Sequence, residues 1–183
     1  MNLPVEGQLY TYSDYCTWDV DERYELIDGV PYLMAPGPSD KHQSISGELF
    51  GQLWSFLKGK TCQVRNAPYD VRLNPDDKDD NVVQPDIVVI CDPSKIQHGG
   101  CVGAPDMVIE ILSPSNRRHD HIVKLMKYEK FGVQEYWIAD PEIKTVHVHI
   151  LNDSKYDFSV YKDPDTVSVH VLEGCEINLS DVF

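Results

Sequence analysis

No window of this sequence comes near the roughly 18 consecutive apolar residues of a membrane-spanning helix. The opening MNLPVEGQLY has neither the basic nor the apolar region of a secretory signal, so a cytoplasmic protein is expected, without a membrane partner. Paired cysteines are missing too. Cys16, Cys62, Cys91, Cys101 and Cys175 are scattered, with no CxxC pair. That pattern argues against both a disulfide framework and a zinc knuckle. Cys91 and Cys101 lie near apolar runs and are expected to be small core residues. Positive charge is scarce: 16 Lys and Arg face 30 Asp and Glu, for a net charge of −14. A protein that grips DNA through phosphates normally presents a basic face. This chain can do so only if its few cations gather on one side. Repeats and low-complexity tracts are also absent.

What is present suits one compact domain, 1–183, with 42% hydrophobic and 25% charged residues. TYSDYCTWDVDERYE (11–25) reads as a short acidic helix entered at Ser13 or Thr17. YELIDGVPYLMAP (24–36) reads as a hairpin turning at Asp28-Gly29. Ile45, Leu49, Leu53, Phe56 and Leu57 fall at helical spacing, which predicts an amphipathic helix over about 40–58, ended by Gly59. Strands follow at 62–73, bent near Pro68, at 84–92 and at 106–113, then a second helix over about 116–131. EYWIAD (135–140) and TVHVHIL (145–151) form a further hairpin, and the tail alternates as edge strands do. The order helix, strand, strand, strand, helix, strand predicts an α/β fold with a mixed α+β sheet, an N-terminal hairpin and C-terminal edge strands.

One residue resists this reading. In PDMVIEILSPS (105–115), Glu110 puts a carboxylate into the most apolar strand of the chain. A lone buried carboxylate is costly, and its pKa climbs until it neutralises. Strand alternation places Asp106, Val108, Glu110 and Leu112 on one side, and Asp86, Val88 and Ile90 on one side of the preceding strand. If these strands are neighbours, Asp86 and Glu110 converge, and a cation between them would make the pairing tolerable. Magnesium favours such oxygen ligands. Lys124 lies on a partly apolar helical face with Asp120, Tyr128 and Phe131, where its ammonium could orient a water or steady phosphate charge.

Asp86 after Pro85, then Glu110, then a lysine, resembles the PD-(D/E)XK superfamily with its restriction-endonuclease-like fold. YELIDG (24–29), His42, QPDIVVI (84–90) and GAPDMVIEILSPSNRRHDHIVKLMKYEKFGVQEYWIAD (103–140) together resemble the Uma-type family of restriction-endonuclease-like bacterial proteins. The resemblance implies a Mg²⁺- or Mn²⁺-dependent endonuclease acting on DNA, commonly as a homodimer. Asp86 and Glu110 would hold the metal, and Asp86, Glu110 and Lys124 would form the catalytic set. In the parent motif the lysine stands two residues after the acid; here that position is Leu112, and Lys124 is the matching residue on the helix.

Each residue also has a plainer role. Glu110 could pair with Arg117 or Lys124 as a structural ion pair, and Asp106 suits the start of a strand. Asp120 could pair with Lys124 or hold it in place, and Glu25 is a further candidate acid of the site. His42 could touch a phosphate or sit at the helix start. His147 and His149 share a strand face, which zinc could use, but a solvated edge strand is the expectation. The alternative to an enzyme is a catalytically inactive binding or assembly module that retains the nuclease fold. Clustering of Arg65, Arg72, Lys95, Arg117 and Arg118 around Asp86 and Glu110 would separate the two.

Overall fold

The computed structural model describes the chain except residues 1–3, 6, 20, 35–36, 77, 98 and 114–118, and gives the backbone alone at 119–121. The chain opens with a one-turn helix, α1 (Tyr12–Tyr15), in which Thr11 and Asp14 cap each other. The acidic helix expected over 11–25 is therefore only its first turn. Asp19, Asp21 and Glu22 would place negative charge at the carbonyl end of a longer helix, where the dipole disfavours it. The backbone instead enters β1 (Tyr24–Ile27), which pairs with β2 (Val30–Leu33). Ile27 faces Val30 across the two-residue loop Asp28-Gly29, both at positive φ, as a tight hairpin turn requires.

Helix α2 (Asp40–Leu57) starts at Ser39, whose hydroxyl accepts from the His42 amide, and buries Ile45, Leu49, Leu53 and Leu57 on one face. The segment expected as one bent strand divides at Pro68 into β3 (Gln63–Asn66) and β4 (Val71–Arg72), which join different sheets. Next come β5 (Val82–Val83), β6 (Ile87–Ile90), β7 (Ile96–Gln97), β8 (Gly100–Val102) and β9 (Met107–Ile111). A π-helical stretch, His119–Lys124, runs into α3 (Leu125–Phe131), which Gly132 ends in the left-handed conformation. Strands β10 (Glu135–Asp140), β11 (Thr145–Asn152), β12 (Lys155–Lys162), β13 (Thr166–Ser168) and β14 (Glu176–Asn178) lead to α4 (Leu179–Val182).

The larger layer is the sheet β12-β11-β10-β9-β6-β3, with β9 and β10 parallel and the other pairs antiparallel. On one face, Ile87, Val89, Met107, Ile109 and Trp137 pack against α2 and the C-terminal segment. On the other, Val88, Ile90, Val108, Leu112 and Tyr136 meet Tyr128 and residues of the second sheet, β2-β1-β5-β4-β8-β7. Strand β9 is thus covered on both faces, which is why its sequence is apolar throughout save for Glu110.

Two expectations are corrected. Cys62 and Cys91 form a disulfide, although their spacing gives no hint of one. They lie one position beyond the Gln63–Ile90 pair of adjacent strands, with Cα atoms 3.8 Å apart. The strand of His147 and His149 is no edge: β11 lies between β10 and β12. His149 is buried, stacked on Tyr136 and Phe158, and among the described residues no three His, Cys, Asp or Glu side chains form a metal-binding group.

Candidate active site

Antiparallel pairing of β6 and β9 matches Val88 with Val108 and Ile87 with Ile109. Continuing that register by one pair sets Asp86 across from Glu110. Their side chains have different neighbours. Asp86 Oδ2 accepts from the Ile111 amide at 2.7 Å and lies 3.2 Å from His42 Nε2. Ser39 starts α2 just before His42, so the helix start delivers the imidazole to the end of β6. Glu110, 2% exposed, accepts at Oε1 from Lys124 Nζ at 2.8 Å and from the Tyr128 hydroxyl at 3.0 Å. Burial first, and the Glu110 charge second, push the Tyr128 phenol well above its ordinary range. It therefore stays protonated and acts as a donor.

Lys124 is itself buried, at 3% exposure. A buried ammonium needs anions and hydrogen-bond acceptors to offset its lost hydration. Two of these are Glu110 and, from β1, Glu25 Oε1, also at 2.8 Å. Glu25 accepts in addition from the Gln84 amide at 2.8 Å. Three residues from distant parts of the chain thus form one buried charge triad, with Tyr128 and Gln84 as neutral donors to its two acids. One turn along the helix Lys127 pairs with Asp28, so the first hairpin is held to this helix twice.

A polar group backs the triad. Gln84 Nε2 donates to Asp70 Oδ1 at 2.8 Å and to the Tyr15 hydroxyl at 3.0 Å, and Tyr15 donates in turn to Asp70 at 3.3 Å. Burial raises the Asp70 pKa, against the lowering effect of these two donors. Sequence reasoning gave no role to Gln84, Asp70 or Tyr15. The signal closest to hand was Gln84 itself, an amide where an apolar strand begins. Tyr128 was placed on the helical face of Lys124, but its bond to Glu110 was not foreseen. Asp106 accepts from the Cys91 amide at 2.7 Å, a role in joining strands. The side chain of Asp120, and Arg117 and Arg118 entirely, lie outside the described residues.

The sequence model of the Uma2 family, described as "Putative restriction endonuclease", matches residues 11–180. The chain belongs to the Uma2 family. This Uma2 chain is 27% identical over 144 residues to an uncharacterized protein of Synechocystis sp., covering 77% of itself and 74% of that protein. Its fold is that of a solved structure from Anabaena variabilis, described as "a putative nuclease belonging to DUF820". The two superpose with a TM-score of 0.76 at 24% identity, over 95% of this chain and 97% of the other. Among the described residues, no helix is long and apolar enough to cross a membrane.

For a Uma2 protein the question of a divalent ion turns on the donor set. Asp86 and Glu110 offer carboxylate oxygens across one register pair, chemistry that suits hard Mg²⁺ or Mn²⁺. They are the residues that would hold such an ion, beside the ammonium that already bridges Glu25 and Glu110. The described cations expected here have partners of their own. Arg72 is paired with Asp79, Lys95 donates to the Ala104 carbonyl, and Arg65 donates to the Val64 carbonyl and Gln63.

Proposed function

We propose that this Uma2 protein is a metal-dependent endonuclease hydrolysing DNA phosphodiester bonds. One observation carries the reading. The helix after β9 returns Lys124 to 2.8 Å from Glu110, one register pair from Asp86, although the parent motif's lysine position is Leu112. In this reading the acid–acid–lysine grouping would be completed from the helix instead of the strand. A bound Mg²⁺ or Mn²⁺ would lower the pKa of a coordinated water and stabilise charge on the scissile phosphate and the leaving 3′-oxygen. Asp86 and Glu110 would anchor that ion, with a main-chain carbonyl of Ile111 or Leu112 as a further oxygen donor. Lys124 would orient the attacking water or steady the charge developing on the phosphate. Glu25 and Tyr128 fix where its ammonium and the Glu110 carboxylate sit. His42, at Asp86, would keep that carboxylate in place. A homodimer would present two such sites to the two strands of a symmetric target.

The rival reading also has an observation behind it. Lys124 is held by two carboxylates within the protein, in a chain of net charge −14. An inactive module that keeps the triad as a structural ion group would look the same. Calorimetric titration of Mn²⁺ into the wild type, Glu110→Ala and Glu110→Gln, together with cleavage of supercoiled plasmid, separates them. Metal binding and nicking in the wild type, lost in a folded Glu110→Gln variant, supports the nuclease. No metal binding by a folded wild type sinks it in favour of the inactive module.

A further inference from the structure

We propose that the groove between the end of α2 and the edge strand β3 is a docking track for a DNA strand, gripped through its phosphates. This deepens the nuclease reading and rests on it. The groove, about 320 Å³, is lined by Trp54, Lys58, Lys60, Gln63 and Arg65 among others, and no acid lines it. In a chain where acids outnumber bases 30 to 16, three cations on one acid-free surface are a marked asymmetry. Of the other described cations, Lys124, Lys127, Arg72, Lys144 and Lys155 each meet a carboxylate, while Lys41 and Lys95 donate to the main-chain carbonyls of Pro141 and Ala104. Lys58, Lys60 and Arg65 meet none among the described residues: Lys58 lies over the Trp54 ring, Lys60 over Phe56, and Arg65 is held by the Val64 carbonyl and Gln63.

Cations without internal anions beside an exposed aromatic ring make a surface that can track a nucleic-acid backbone. Trp54 is 49% exposed at this place. Charge complementarity therefore selects a polyanion, and the Trp54 ring adds a surface on which a base can stack. Position ties the groove to the candidate active site. Strand β3 runs antiparallel to β6, so Gln63 faces Ile90 and Arg65 faces Val88. At ~3.3 Å per residue, Arg65 lies about 7 Å and Gln63 about 13 Å along the strand from the level of Asp86. A DNA strand laid along β3 would run from the lysines past Arg65 to the carboxylates.

The test is fluorescence anisotropy of a labelled single-stranded DNA oligonucleotide in EDTA, across ~20–200 mM salt. The proteins compared are the wild type, Lys58→Gln/Lys60→Gln/Arg65→Gln and Trp54→Phe. The wild type is expected to bind with an affinity that falls steeply with salt. The triple variant's log–log slope is expected to be shallower by about 2, since each lost phosphate contact removes ~0.7. Quenching of tryptophan fluorescence on binding is expected to disappear in Trp54→Phe. An unchanged slope in the triple variant, quenching that survives in Trp54→Phe, or no wild-type binding at the lowest salt would each overturn the proposal. Because metal is absent here and DNA is absent from the Mn²⁺ titration, failure of the groove and failure of the nuclease site give different results.

Discussion

Replacing Lys124 with methionine keeps most of the side chain's length and apolar contact but deletes the ammonium between two buried acids. Glu25 Oε1 and Glu110 Oε1 each lie 2.8 Å from Nζ, so without it two carboxylates face each other within twice that distance. Breaking a buried ion pair from one side costs ~3–5 kcal/mol. Tyr128 and the Gln84 amide still donate to the two acids, which favours the lower end. For a chain of this size, ~3 kcal/mol lowers Tm by roughly 6–12 °C. Thermal unfolding of wild type and variant at pH 7, followed by circular dichroism, reads the loss. A variant within ~1 kcal/mol of the wild type would refute the triad.

Asp70→Asn removes a carboxylate whose pKa burial has raised, while leaving an acceptor for Gln84. The wild-type acid stabilises the fold below its unfolded pKa and loses that contribution as pH rises through the folded value, so urea titrations should show the Asn variant gaining on the wild type with rising pH; a constant difference would count against it. Reducing the Cys62–Cys91 bridge, whose ends are separated by 29 in sequence, should cost up to ~3–4 kcal/mol on chain-entropy grounds and lower Tm. Thiol titration of unreduced, unfolded protein should find three thiols, Cys16, Cys101 and Cys175, and finding five would remove the bridge. Gly100→Ala would put a Cβ 2.1 Å from the Asp70 carbonyl oxygen at a φ of +143°, and should lose at least ~2 kcal/mol in urea unfolding. A change within ~0.5 kcal/mol would mean that β8 and the Asp70 backbone do not approach this closely.

Periodicity and turn chemistry made most of the fold legible. Helix α2 was readable from the spacing of Ile45, Leu49 and Leu53, and the first hairpin from Asp28-Gly29. Alternation gave the shared faces of Asp86 and Glu110, but whether their strands pair, and in what register, is a tertiary fact. The polar group behind the triad could not be read in the same way. Tyr15 and Gln84 are 69 residues apart, and Glu25 and Gln84 are 59 apart. No local period links such residues. The disulfide escaped for the same reason, since Cys62 and Cys91 become neighbours only once β3 is laid beside β6. The acidic stretch 11–25 misled in another way: its composition suits a helix, but its charges sit at the wrong end of one.

Lys124 is a seam as well as a candidate catalytic group. Its two bonds, with the neighbouring Lys127–Asp28 pair, stitch the first hairpin to the strand that carries Glu110. Architecture and chemistry therefore draw on the same atoms, and a single substitution there cannot report on one without disturbing the other. A screen that scores lost activity would count unravelled molecules as chemically dead. Separating the two requires paired changes that swap the triad for a neutral set of similar shape, with the seam restored and the charges gone.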